Sequence, residues 1–479
     1  MCALMCASAS ANTYVVDKTT DDPGTDACTG AANDCSLRSA ITTANANAGP
    51  DVITLPAGTF TLTKDQQEIT QAVTITGAGA RSTVVDGANV ASTLFGVNTG
   101  DPVTISDLTA RGAAPGDFVG VVSVSQAAPL VLARVALVDN AAIALDVSDG
   151  TAELQSSLIA RNSAGGAAGL VNSTNSFTLI SDSTIVQNTA LPSSASQPVA
   201  LGGGVVNIGA LSIIDSTIAG NRIAAPAQAL GGDNLENING AGGLGLLRIA
   251  NSIVADASPN GNCGGPIDSA GHNLDSDGTC GLDAISDVPG VDPLLAALAD
   301  NGGPTDTRAL AQGSPAVDAG AGCEATDQRG VARPAGGACD IGAFESPFTA
   351  VSAQPPVAPP VTPVATPADT TPPKLTVSGI HKTIERKAFN KGLKVRIGAN
   401  EPIAAEVALL AMPRKVTIAK LLNLVLATRS LPRAAGTRTV ILKPSPKVKG
   451  KRKVKMQLRV VAFDAGGNRS AKTVSFTVK

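Results

Sequence analysis

The chain predicts an all-β fold: a right-handed parallel β-helix solenoid with a short N-terminal capping helix, then a Pro-rich linker and a small β-sandwich. Three observations carry this. The first is a phrase that repeats between Val103 and Ala257: RVALVDN from Arg134, SSLIARN from Ser156, DSTIVQN from Asp182, DSTIAGN from Asp215 and NSIVADA from Asn251. Aligned on their apolar centres, Leu137, Ile159, Ile185, Ile218 and Val254 make one column. Asn140, Asn162, Asn188 and Asn221 make another, with steps of 22, 26 and 33 residues. A repeat of roughly 20–30 residues with strand-like centres and loops of variable length marks a solenoid. The second is alternation of apolar side chains in runs such as FTLISDSTIV and LSIIDSTIA, none of which can bury its inward face alone. The third is a charge split. From Thr370 onward, 24 Lys and Arg face four Asp and Glu, a formal +20; residues 1–369 hold 12 against 35, or −23. The two parts are therefore separate bodies with different surfaces.

Stacking coils at about 4.8 Å pairs each backbone N–H and C=O with the coils above and below, and the inward Ile, Leu and Val columns merge into one core. Gly202-Gly203-Gly204 and Gly242-Gly243 suit tight corners that need positive φ. Stacked Asn side chains satisfy buried backbone groups at a turn, and a residue recurring on every coil is not the signature of one ligand site.

Residues 1–11 end in Ala9-Ser10-Ala11, a small-x-small cleavage pattern, and read as the remnant of a signal peptide. Residues 12–49 form the N-terminal cap. Tyr14-Val15-Val16 is a strand, and Leu37, Ala40, Ile41 and Ala44 share one helical face before Gly49-Pro50 ends the helix. Between them lies an acidic loop with Asp21, Asp22, Asp26 and Asp34. Two readings of it stand: a Ca²⁺ site, since clustered carboxylates suit a hard cation, or a solvated loop pinned by cysteines. Cys28/Cys35, Cys263/Cys280 and Cys323/Cys339 are sequence-local pairs, and no CxxC occurs. Disulfides in an oxidising compartment fit them better than zinc.

Cys35-Ser36-Leu37-Arg38-Ser39-Ala40-Ile41 resembles the CSLREA motif of secreted bacterial β-helix proteins, with Ser39 where that family usually has Glu. The resemblance implies that the helix caps the solenoid, whose open end would otherwise expose unpaired strand edges. DVITLPAGTFTLT, from Asp51, opens the coils, which extend over residues 50–290. In residues 291–346 the phrases VDPLLAALADNGGPTDTRAL, GSPAVDAGAGC and DQRGVARPAGGACDIGAFE resemble a choice-of-anchor Q segment. Jointly the likeness spans about residues 14–345 and implies surface attachment, with no reaction attached to it. Asp327, Arg329, Arg333, Asp340 and Glu345 invite a catalytic reading. Ion pairs and turn hydrogen bonds that tie down a C-terminal cap are the preferred one.

Residues 347–373 are the linker, in which PPVAPPVTPVATP favours extended polyproline II. Residues 374–479 alternate as a sandwich should. In KVKMQLRVVAF, Val454, Met456, Leu458, Val460 and Ala462 point one way, and Lys453, Lys455, Gln457 and Arg459 the other. Six or seven such strands are expected, and FDAGGNRS at Phe463 resembles the last turn of bacterial immunoglobulin-like repeats.

These features bound the function. No apolar run reaches ~18 residues, so no transmembrane helix is expected. Aromatic residues are 2% of the chain, too few to stack bases, so nucleic acid is not an expected partner. Lyases and glycosidases on such solenoids need clustered carboxylates and sugar-stacking platforms; neither is visible. Arg111, Arg134, Arg161, Arg222 and Arg248 build no common stripe. Asp182 and Asp215 recur at one repeat position, which speaks for turn formation. The expectation is a secreted, surface-associated protein, adhesive or polymer-binding and non-catalytic, with no cofactor other than the calcium already named. Its partner would be an extracellular or cell-wall polysaccharide or anionic envelope polymer, with the long β-helix face presented for adhesion or polymer binding and the basic module for envelope association. A polysaccharide lyase or glycoside hydrolase is the alternative, and the oligomeric state is open.

Overall fold

Winding the repeats into coils gives three long parallel sheets. The computed structural model describes residues 11–21, 28–47, 49–64, 67–116, 119–126, 128–193, 200–224, 231–238, 245–350, 373–412, 425–444, 453–463 and 469–479. The first sheet has ten strands, beginning with Thr13–Val15 and Asp51–Leu55 and ending with Leu246–Ala250 and Asp268–Ser269. The second has eight, from Glu68–Ile69 to Cys263–Gly264, and the third ten, from Gly58–Thr61 to Val288–Pro289. Ten rungs make a rod about 43 Å long at ordinary strand spacing.

The registers show why these residues form this rod. In the third sheet Leu137 pairs with Ile159, Ile159 with Ile185, Ile185 with Ile218 and Ile218 with Val254. In the first, Ile53, Ile75, Ile105, Leu132, Leu154, Ile180, Ile213 and Ile249 stand one above another. All of these side chains are at most 1% exposed. Each such burial is worth about 1.5–3 kcal/mol, so the core is a sum over coils and no single coil is stable alone.

The helix Leu37–Ala46 packs on strands Asp51–Leu55 and Glu68–Ile69 at the N-terminal end. Its buried face is Leu37, Ser39, Ala40, Ile41 and Ala44, and the Ser36 hydroxyl caps it by accepting from Ser39 N. The Ser39 side chain lies 2.9 Å from Ser36 Oγ, so a second hydroxyl stands where a capping-box Glu would reach back.

One expectation about corners is corrected. Gly202, Gly203 and Gly204 do not adopt positive φ; they are glycine because backbones meet there. A Cβ on Gly203 would sit 2.5 Å from Arg222 N, and one on Gly204 2.3 Å from Asn234 O. Gly242 and Gly243 lie outside the described residues.

A second correction concerns residues 291–346, expected as an end cap. They lie instead along the outer face of the third sheet, as a lateral strap. Leu310, Ala316, Val317, Ile341 and Phe344 pack on Ala136, Val138, Leu158, Ala160, Val186, Ala219, Ile253 and Ala255. These are the outward residues of five successive rungs, which explains why ALV and LIA are apolar on both faces and why TIV and TIA end in an outward Val or Ala.

The C-terminal unit, taken by itself, has a three-stranded sheet of Thr376–Ser378, Leu393–Gly398 and Arg438–Leu442. A five-stranded sheet holds Thr383–Ile384, Ile403–Met412, Val425–Ala434, Val454–Phe463 and Arg469–Val478. Phe389, Val395, Ile397, Val407, Leu409, Met456, Leu458, Val460 and Phe476 fill one core. Lys453 and Lys455 are exposed on the opposite face. Among the described residues eight strands stand where six or seven were expected. Asp464 to Asn468 of the FDAGGNRS turn, and most of the linker, lie outside the described residues.

Candidate functional site: a groove beneath the strap

The Asn column is built into the wall. Asn140, Asn162, Asn188 and Asn221 are at most 3% exposed. Each Nδ2 donates to the Oδ1 of the next: Asn140 to Asn162 at 2.8 Å, Asn162 to Asn188 at 2.9 Å and Asn188 to Asn221 at 2.9 Å. Each also donates to a backbone carbonyl, for example Asn188 to Ile159 O at 3.1 Å. The ladder continues through Asn234 and Asn262 and ends on Asp275 Oδ1. The sequence columns missed those three because they lie outside the repeated phrase. A serine ladder, Ser157, Ser183, Ser216 and Ser252, was inside the phrase and went unread. Each hydroxyl accepts from the backbone N–H one coil earlier. Both ladders turn corners; neither offers a free group to a ligand.

The cysteine pairs are disulfides: Cys28–Cys35, Cys263–Cys280 and Cys323–Cys339. In the acidic loop, Asp21 is ion-paired with Arg38 at 2.6 Å and accepts from Thr63 N at 2.8 Å. Burial pushes its pKa up, but Arg38 and the N–H groups of Thr63 and Lys64 outweigh that and hold it below the usual value. Asp34 accepts from Thr29 N at 2.9 Å. Asp22 and Asp26 lie outside the described residues, among which no three His, Cys, Asp or Glu side chains are placed to share a metal ion.

Asp327, Arg329, Arg333, Asp340 and Glu345 hold the strap's own shape. Arg329 pairs with Asp327 at 2.6 Å and stacks 3.6 Å from the Phe344 ring centroid. Asp340 accepts from Asp318 N and Ser346 N, and Glu345 from Ala335 N and Asp340 N. Arg333 donates to Asp340 O and Gly342 O, and its side chain is 1% exposed. It also comes within 3.5 Å of Asp182 Oδ1. Asp182 and Asp215 are thus brought together with a strap arginine, a contact across more than a hundred residues that no repeat pattern announces. Both are buried and closed off behind the strap.

An open groove of about 270 Å³ lies where the strap meets the third sheet. Val84, Ala136, Val138 and Leu158 form its floor; Arg81, Arg111, Arg161, Thr109, Thr305 and Asp306 supply its polar groups. Strand ends position them. Arg111 pairs with Asp86 at 2.9 Å and Arg161 with Asp139 at 2.8 Å, each reaching one coil back. Arg81 holds the strap side, 2.8 Å from both Asp300 and Asp306. Arg134 makes a similar rung with Asp107 on the other flank. So these four arginines build no bare basic stripe, each being answered by a carboxylate; Arg222 donates instead to Thr189 Oγ1. The groove has an apolar floor and a rim of fixed donors and acceptors. Its one lining carboxylate, Asp306, is tied to Arg81.

No family model matches the chain, and no curated protein matches it. Among solved structures, a crystal structure of pectate lyase Pel9A is similar over 70% of this chain and 97% of that one. The identity is 17% and the TM-score 0.34. A likeness of that size speaks neither for nor against an activity here.

Proposed function

We propose that the chain is a secreted, cell-surface-associated β-helix protein that binds extracellular polysaccharide without cleaving it, with the groove under the strap as the contact site. The pairing of every groove arginine carries the reading. Three guanidinium groups are balanced by Asp86, Asp139, Asp300 and Asp306, so the rim is not a trap for an acidic polymer. Paired ions still present N–H donors and carboxylate acceptors side by side, which suits hydroxyls that both donate and accept. A neutral, hydroxyl-rich glycan fits this chemistry over a polyuronate. Catalysis is disfavoured because Asp182 and Asp215 are shut behind the strap, away from any bound chain. The disulfides support an oxidising, extracellular setting, and no helix among the described residues is long and apolar enough to cross a membrane. The CSLREA-like and choice-of-anchor Q-like phrases support surface attachment. The immunoglobulin-like basic module serves as the hold on anionic envelope polymer.

A glycan array with the full chain tests this. Retention of a neutral glycan, weakened about tenfold by Arg161→Ala through loss of one charge-assisted contact, is the expected result. Release of unsaturated or reducing ends from any polysaccharide would replace the binding reading with the enzymatic one.

A further inference from the structure

The turns preceding seven successive third-sheet strands, from Thr109–Arg111 to Leu274–Asp275, each place one residue in the left-handed region: Asp107, Arg134, Ser156, Asp182, Asp215, Asn251 and His272, with φ between 45° and 58°. The last four face the strap. Asn251 and His272 meet it with hydrogen bonds to its backbone. Asn251 Nδ2 donates to Ala321 O at 2.9 Å and its Oδ1 accepts from Ala321 N at 3.1 Å; His272 Nδ1 lies 2.8 Å from Ala319 O. Asp182 and Asp215 meet it with carboxyls. Asp215 accepts from Glu324 N at 2.9 Å, and Asp182 has Arg333 at 3.5 Å. Each has a buried Oδ1 without a well-formed hydrogen bond: that of Asp182 has Arg333 Nη2 no nearer than 3.5 Å, and Asp215 has the Asn251 amide beside it. Arg333 is the nearest cation, and Glu345 shares it at 3.8 Å. Asp215, Glu324 and Asp327 add negative charge around Asp182. Glu324 is exposed and Asp327 is answered by Arg329, which leaves the buried Asp182, Asp215 and Glu345 around the one guanidinium of Arg333, a costly arrangement if all three are ionised.

We propose that Asp182 and Asp215 form a proton-operated latch: protonated, they let the strap sit closed on the third sheet, and ionised, they loosen it and with it the wall of the groove. The mechanical link is short. Thr184, two residues from Asp182, donates to Gln328 Oε1 at 2.6 Å. Gln328 Nε2 in turn donates to Thr305 Oγ1 at 2.9 Å and Asp306 O at 3.1 Å, both groove residues. The role of the groove rests on the function proposed above; the latch itself does not.

Burial lifts Asp182 to about 7, with Arg333 pulling it back and Asp215, Glu324 and Asp327 pushing it further up. Asp215 is raised too, first by burial. A carboxyl raised on docking stabilises the closed strap fully below its undocked pKa and loses that effect as pH climbs through the docked one. The strap therefore tightens on the acid side of neutrality and loosens on the alkaline side.

Hydrogen exchange on the full chain, without glycan, reads this directly. Protection factors corrected for base-catalysed exchange should fall about tenfold or more in residues 300–310 and 324–342 between pH 5.5 and 8.5. First-sheet strands should be unchanged and report that the chain is folded. Asp182→Asn copies the amide that Asn251 already carries at this turn position and should hold the strap protected at pH 8.5. Asp215→Asn is the second variant and should act likewise, more weakly. Strap protection that is flat with pH in the unaltered chain, or an equal fall in both variants, would overturn the latch. Failure of glycan binding alone would leave these exchange results standing and count against the groove.

Discussion

At the scale of the residue, the ladders bind the coils where the backbone turns and cannot pair as a strand. Asn188 shows the load. Its Oδ1 accepts from both Asn162 N and Asn162 Nδ2, and its Nδ2 serves Ile159 O and Asn221 Oδ1. Asn188→Ala removes four buried hydrogen bonds at once; Asn162 N loses its acceptor outright, while Asn162 Nδ2 keeps Leu137 O and Asn221 Oδ1 keeps Asn188 N. A buried unsatisfied group costs about 1–3 kcal/mol, so a loss of roughly 3 kcal/mol or more is expected in urea unfolding of the β-helix. Glutamine is no substitute, because the extra methylene moves the amide off the stack. A variant as stable as the parent would mean that the ladder is a consequence of coil stacking and contributes nothing to it.

At the scale of the element, the strap is an irregular polypeptide with one hairpin of its own, Leu295–Ala299 with Thr307–Leu310. Its shape comes from buried ion pairs, from Phe344 beneath Arg329 and from Cys323–Cys339. That disulfide closes a loop of 16 residues, which in the chain-entropy picture is worth about 3 kcal/mol. Replacing both cysteines with serine should lower exchange protection across 314–345 by about tenfold or more. The coils, which hold no part of that loop, should melt where they did before. Coincident loss in strap and coils would show instead that the strap is an obligatory part of the rod. The strap is also where reading the sequence stopped short. Ile185 over Ile218 was legible because stacking demands the same side chain at the same place on each coil, and a column can be seen without a structure. The helix face Leu37, Ala40, Ile41 and Ala44 was legible for the equivalent reason, a local period. Asp182 beside Arg333, and Arg81 beside Asp306, obey no period. They depend on where an aperiodic segment lies back on a periodic one. The apolar residues on both faces of LIA, TIV and TIA did carry the hint that something covers the third sheet, since a solvated outer face would have been polar.

At the scale of the whole molecule, a net charge of −3 describes neither part. The β-helix portion carries the negative charge, most of its groove paired off locally; the sandwich carries Lys453 and Lys455 exposed at the start of a strand. Two kinds of contact follow, and salt separates them. Exposed charges on the sandwich act over a Debye length of about 10 Å at 0.1 M salt and about 3 Å at 1 M. The full chain should therefore be retained on an anionic polymer resin at low ionic strength, against its overall sign, and elute as salt rises. Lys453→Glu with Lys455→Glu should bring that elution to lower salt without altering the groove. Glycan contact in the groove relies on short hydrogen bonds over an apolar floor, and screening reaches those far less. Retention on a neutral glycan column should persist at 1 M salt, where the resin has already released the protein. If both contacts were to vanish over the same salt range, the groove would be one more charged surface, and the division of labour between rod and sandwich would fail with it.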